Sequence, residues 1–159
     1  MRPLQSWFDG YAESHQNPTN KLLHWFCIPA IFYSIIGLLA SIPAGFLPQL
    51  LPEYLAPIAH FGTLLVLGGL IFYMLHSPSM AVGILLYSVI CLHFVYIFSH
   101  LSVPLWQSSL AIFTVAWIGQ FYGHKVEGKK PSFFKDVQFL LIGPAWLLGF
   151  IYKKLGIPY

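Results

Sequence analysis

Seven histidines stand in a chain of 159 residues of which only 8% are charged. Imidazole moves protons near neutral pH and ligates transition metals through a neutral ring nitrogen. In a chain this apolar, each ring is costly unless it finds a partner. Three of the seven hold positions that favour convergence. His15 lies just before the first long apolar run, His24 about two turns inside it, and His124 at the end of the fourth. If four runs cross a membrane in turn, all three lie near one face. Imidazoles meeting there from separate elements are what a metal site requires. Taken singly, a histidine of this kind more often meets lipid headgroups or bonds to a neighbouring helix.

Local spacing adds candidates around these rings. Asn20 precedes His24 by four residues, and Gln120 precedes His124 by four, so each pair shares a helix face. A metal-bound imidazole usually gives its second N–H to a nearby acceptor, which makes Asn20 and Gln120 the expected acceptors. Asn17 also aligns roughly with His24, although Asn17-Pro18 reads equally well as a helix cap followed by the first helical residue. Glu127, three residues after His124, has three open roles: to ligate, to orient His124, or to pair with Lys129 or Lys130 in water. His60, His76, His93 and His100 are weaker candidates, and a pair of histidines across helices is also compatible with haem. The chain has no Gly-rich phosphate loop, no HExxH and no Gly-x-Ser-x-Gly elbow, so nucleotide chemistry and conventional zinc proteolysis have no support.

The elements that must position these residues are helices in lipid. Soluble domains carry roughly 25% charged residues. Here 57% are hydrophobic and 18% aromatic, and the mean hydropathy is +0.70. The expected fold is all-α: a multi-pass bundle of four or five membrane helices in a single domain, residues 1–159, with a short interfacial helix around Leu4, Trp7, Phe8 and Tyr11. The apolar runs cover residues 22–47, with Pro29 as a possible kink, then 58–75, 80–98 and 103–122. The last run, 137–152, is short and contains Gly143-Pro144; it reads as a broken helix that returns to its starting face, the alternative being a short span that carries Lys153 and Lys154 to the opposite face. Arg2, Lys21, Lys125, Lys129, Lys130 and Lys135 flank the first and fourth runs, which places that face in the cytoplasm. The net charge of +3 is an orientation signal and not a nucleic-acid footprint. No cleavable signal pattern is visible, and Cys27 and Cys91 read as small hydrophobes.

Two segments carry a resemblance over most of the chain. They are His15-Gln16-Asn17-Pro18-Thr19-Asn20, continuing to His24 and Pro29, and Trp117-Ile118-Gly119-Gln120-Phe121-Tyr122-Gly123-His124, followed by Glu127 and Lys129-Lys130-Pro131. Together they resemble the fungal 2-hydroxy-fatty-acid dioxygenase family. Two departures stand out: the stretch between His124 and its glutamate is one residue shorter, and Gln16 stands where a second histidine can adjoin His15. The resemblance implies a protein of the endoplasmic reticulum membrane in eukaryotes, or of the inner membrane in a bacterial relative. It implies Fe(2+)-dependent alpha-oxidation, in which a 2-hydroxy fatty acid from phytosphingosine breakdown becomes the acid one carbon shorter. It places the catalytic iron on His15, His24 and His124, with His100 as a further match. Three imidazoles leave coordination positions for a hydroxy acid and dioxygen. Lys125, Lys129 or Lys130 would draw in the carboxylate. Two alternatives stay open: a non-catalytic membrane or lipid-binding protein, and a haem-binding membrane redox protein.

Overall fold

A computed structural model of the protein describes residues 4–128 and 140–159. The described residues form six α-helices: α1 (Leu4–Ala12), α2 (Pro18–Ala40), α3 (Phe61–His76), α4 (Pro78–Ser99), α5 (Leu105–Glu127) and α6 (Ile142–Leu155). Two short 3₁₀ turns, Leu47–Leu50 and Glu53–Ile58, join α2 to α3, and no strand occurs among the described residues.

The helix ends follow local chemistry. Asn17 caps α2 by accepting the backbone N–H of Thr19 at 2.9 Å and of Asn20 at 3.5 Å, with Pro18 in the first position. Ser77 caps α4 the same way, through the N–H of Met80 at 3.2 Å. His60 caps α3, its Nδ1 accepting the N–H of Thr63 at 3.2 Å. Gly128, at φ 73°, closes α5 in the left-handed conformation that a glycine adopts without strain.

α2 is central and packs most extensively against α5. The close approach depends on glycines one turn apart on α5. A Cβ at Gly119 would meet the Cys27 sulfur, and one at Gly123 would meet the Asn20 side chain. Small residues at such spacing let helix backbones come close together. The Tyr87 hydroxyl donates to the Pro29 carbonyl at 2.9 Å, joining α4 to α2. α6 is tied to the start of α4 by the Tyr152 hydroxyl, which donates to the Ser79 carbonyl at 2.7 Å. α1 lies against α6, with Tyr11 edge-on to Trp146 at 5.2 Å between ring centres.

Several sequence expectations change. The first long helix ends at Ala40, not near residue 47, because Pro43 cannot continue it and Gly45 turns the chain at φ 58°. The helix runs through Pro29 without ending. α6 is continuous and not broken at Gly143-Pro144, since Pro144 falls in its first turn, where the missing N–H has no helical partner to lose. Residues 137–139 of that run lie outside the described residues. Two helices, α2 and α4, are long and apolar enough to cross a membrane, fewer than the four or five expected. α3 has 16 residues and α6 has 14. α5 has the length, but Gln107, Thr114, Gln120, His124 and Lys125 dilute its apolar character.

Candidate metal centre

The cap at Asn17 sets where α2 begins, and therefore which way His24 points. The ring lies at the interface with α5, fully buried. α5 delivers His124 to the same level in its last turn, also buried. The turn after α1 delivers His15, which is 1% exposed. Ring centres of His15 and His24 are 4.2 Å apart, and His124 lies 5.2 Å and 5.3 Å from them. One ligand nitrogen from each ring falls within 4.8 Å of the other two.

Protonation of two of these rings is fixed by the backbone. His15 Nδ1 lies 2.6 Å from the Tyr11 carbonyl oxygen, and His24 Nδ1 lies 2.8 Å from the Asn20 carbonyl oxygen. A carbonyl only accepts, so each Nδ1 carries the proton and each Nε2 is left with a lone pair. Those two Nε2 atoms face each other at 2.8 Å. Lone pair against lone pair at that distance, away from water, repels unless a proton or a cation lies between them. The donor set therefore fits a transition metal: neutral imidazoles, anchored through the far nitrogen to carbonyls in the way metal-bound histidines are. Ligands bonded at about 2.1 Å stand at most about 4.2 Å apart, so only a small inward movement closes the set.

Glu127 ties the elements together. Its carboxylate accepts the backbone N–H of Gln16 at 2.8 Å, the backbone N–H of Asn17 at 2.8 Å and the Asn20 side-chain N–H at 3.0 Å. The segment bearing His15 is thereby clamped to the end of the helix bearing His124. Partial burial works to raise the carboxyl's pKa, but the N–H groups of Asn17, Asn20 and Gln16 outweigh it and hold the group below its ordinary value.

The expected acceptors behave differently. Asn20 does accept the His24 proton, but through its backbone carbonyl. Its side chain donates to Glu127 and to the Ser14 carbonyl instead. Gln120 is 5% exposed, and among the described residues its side chain makes no hydrogen bond, to His124 or to any other group. His100 lies outside the cluster, exposed at the end of α4 with Nδ1 donating to the Tyr96 carbonyl at 2.7 Å. Lys129 and Lys130 lie outside the described residues, and Lys125 is exposed on α5.

Two residues escaped the sequence reading. Tyr11 stacks on His15 with ring centres 4.1 Å apart and planes 16° apart, and Trp146 stands 5.5 Å from the same ring. The four-residue step from Tyr11 to His15 was a usable signal, whereas Trp146 was not recoverable without the packing of α6. One cavity adjoins the cluster, and a second is lined by residues a helical turn from it. The first, of about 250 Å³, lies between α1 and α6, with His15, Gln16, Lys21 and Lys153 on its wall. The other, of about 30 Å³, lies among Tyr11, Ile28, Ile31, Trp117 and Gln120.

A helical protein with three converging buried histidines is a candidate metalloprotein, and comparison with known proteins narrows this. The 2-hydroxy-palmitic acid dioxygenase Mpo1-like family model matches residues 1–155. The chain is 27% identical over 155 residues to 2-hydroxy-palmitic acid dioxygenase MPO1 of Saccharomyces cerevisiae, covering 96% of this chain and 82% of that protein. No solved structure matches. The chain belongs to the Mpo1-like family.

Proposed function

We propose that this chain is a multi-pass membrane dioxygenase whose iron(II), held by His15, His24 and His124, serves conversion of a 2-hydroxy fatty acid to the acid one carbon shorter. The observation that carries this reading is the meeting of two lone-pair-bearing Nε2 atoms at 2.8 Å beside a third buried imidazole, in a chain of this family. The yeast relative is named for 2-hydroxy-palmitic acid, which supports that class of substrate.

When bound, iron(II) would offer open coordination positions and relay to dioxygen the electrons that the 2-hydroxy acid gives up on oxidation. The remaining work belongs to the chain. The carbonyls of Tyr11 and Asn20 keep two rings in the ligating tautomer. Glu127 holds the His15 segment against α5. Burial of all three rings keeps bulk water from the reacting centre. Lys21 and Lys153, on the wall of the larger cavity, draw the substrate carboxylate toward His15. Membrane placement is supported by α2 and α4 and by broad apolar exposure on several helices: Ile71 on α3 is 64% exposed, Leu86 on α4 63% and Val115 on α5 69%. Lys21 and Lys125 lie at the cluster end, which supports a cytoplasmic orientation of that end. A haem reading is disfavoured, because 2.8 Å between His15 and His24 leaves no room for a porphyrin plane.

The test is to load the purified protein with iron(II) anaerobically in detergent, then add 2-hydroxypalmitate and oxygen and follow products by mass spectrometry. Chain-shortened acid in proportion to bound iron is expected. Protein with full iron occupancy and no shortened product sinks the proposal.

A further inference from the structure

Helix α4 has two faces of opposite character. Its inner face, with Ile84, Ser88, Cys91 and Val95, is buried against the rest of the bundle. Its outer face carries Val82, Leu86, Val89, His93, Tyr96 and His100, all exposed. These residues follow one another in alternating steps of four and three. That alternation is the heptad seam along which two helices pack side by side.

His93 is out of place on a face turned to lipid. α4 is one of the two helices long and apolar enough to cross a membrane. His93 lies well before its last residue, Ser99, about 9 Å inside the span. Helical side chains lean toward the N-terminus of their helix, so the ring tilts to the middle of the membrane and not to the nearer surface. Among the described residues His93 makes no hydrogen bond. Other exposed polar side chains find a local acceptor. Thr114 on α5 donates Oγ1–H to the Leu110 carbonyl at 2.9 Å, and His100 donates Nδ1–H to the Tyr96 carbonyl at 2.7 Å. An imidazole left without one in lipid is costly until a group on another helix meets it.

The seam itself supplies that group. Copies of one membrane protein insert in the same orientation, so two paired α4 helices run parallel about a two-fold axis along the membrane normal. Each residue near the axis then faces its own counterpart at equal depth. A neutral imidazole has one N–H donor and one acceptor nitrogen, so two of them can bond to each other. Val82, Leu86 and Val89 meet their counterparts in the same register. We propose that the outer face of α4 is the interface of a homodimer, in which the His93 imidazoles of the two copies hydrogen-bond to each other. This pairing shares its membrane placement with the proposed function and owes nothing to the iron.

The test is energy transfer between donor-labelled and acceptor-labelled full-length copies in phosphatidylcholine vesicles, followed as the protein-to-lipid ratio is lowered. Wild type is expected to associate. His93→Leu should raise the protein density at half-association by about 3- to 20-fold, the range that one interhelical hydrogen bond spans. His93→Gln, which keeps a donor and an acceptor, should fall between Leu and wild type. Iron content and thermal midpoint should not change in either variant. A wild type that stays monomeric throughout overturns the proposal, as does a folded His93→Leu that associates as wild type does. Oxidative cross-linking in the same vesicles reads the geometry independently. Leu86→Cys and Val89→Cys should each join to the same residue of a second copy, and Val115→Cys, equally exposed on α5, should not. The reverse pattern overturns the proposal, and if His93→Leu does not fold, the cysteine variants decide. Chain shortening is scored separately: active monomers keep the proposed function and reject the interface, and inactive dimers that depend on His93 do the opposite.

Discussion

Four histidines of this protein share one local arrangement and come to different ends. His15, His24, His76 and His100 each donate Nδ1–H to the carbonyl four residues earlier, on Tyr11, Asn20, Phe72 and Tyr96. In all four the lone pair is left on Nε2. His76 is partly buried and His100 exposed, and neither has another imidazole beside it. His15 and His24 turn their Nε2 atoms to a common buried point that His124 also reaches. The local motif is therefore generic. What separates a candidate ligand from a satisfied ring is which element brings the neighbour, and here α5 does so through Gly119 and Gly123 while Glu127 fixes the approach of the His15 segment.

The largest effect that tests this contrast comes from the rings themselves. His15→Ala, His24→Ala and His124→Ala should each abolish chain shortening and lower bound iron to background, with the fold retained by circular dichroism. His76→Ala, His93→Ala and His100→Ala should leave both near wild type. Iron loss and inactivity in His100→Ala would erase the distinction between the two groups.

Next in size is the clamp. Glu127→Ala frees three donors at once and should weaken iron binding by about 10- to 100-fold, in keeping with residues that orient ligands without touching the metal. Titration against a competing chelator measures it. Glu127→Gln, which keeps the shape and loses the charge, should fall between Ala and wild type.

A smaller effect follows from helix approach. Gly123→Ala pushes α5 away from Asn20 and should cost about 1–3 kcal/mol, as overpacking does. It appears as a lower thermal midpoint in detergent, accompanied by weaker iron binding because the two helices carry the proposed ligands His24 and His124. Gly68→Ala, where a Cβ meets open space, should do neither.

The mildest test is electrostatic. Hydrogen bonds hold the Glu127 carboxyl below its ordinary value in the folded protein, so its contribution to stability is complete above the unfolded pKa of about 4.5. That contribution declines as pH falls through the lower folded value. The difference in thermal midpoint between apo wild type and apo Glu127→Gln should therefore be constant near neutrality and narrow only below about pH 4. Narrowing already at pH 6 would mean that the carboxylate is not held by those three donors.

Much of the site was legible before any packing was known. Asn17-Pro18 announced a capped helix start, His24 followed at a readable phase, and the count of apolar runs brought His124 back to the same end. These signals are local or depend on parity, so one chain suffices to read them. The role of Glu127 was not legible, because its partners Gln16, Asn17 and Asn20 are more than a hundred residues away. The acceptor for His24 was assigned to the right residue and the wrong atom, since i to i+4 spacing does not distinguish a side chain from a carbonyl. The extent of the first helix was overestimated because Pro43 lay within an otherwise apolar stretch.

Composition, caps and helical phase, then, are properties of short stretches, and the sequence alone determined them: an apolar helical chain with histidines gathered toward one end. Which imidazoles meet was decided by tertiary structure. The 2.8 Å approach of the His15 and His24 Nε2 atoms depends on the carboxylate that holds the preceding turn in place, and the arrival of His124 beside them depends on the α5 glycines that admit α2. Such separations are set by the summed packing of several elements, and no one of those elements encodes them.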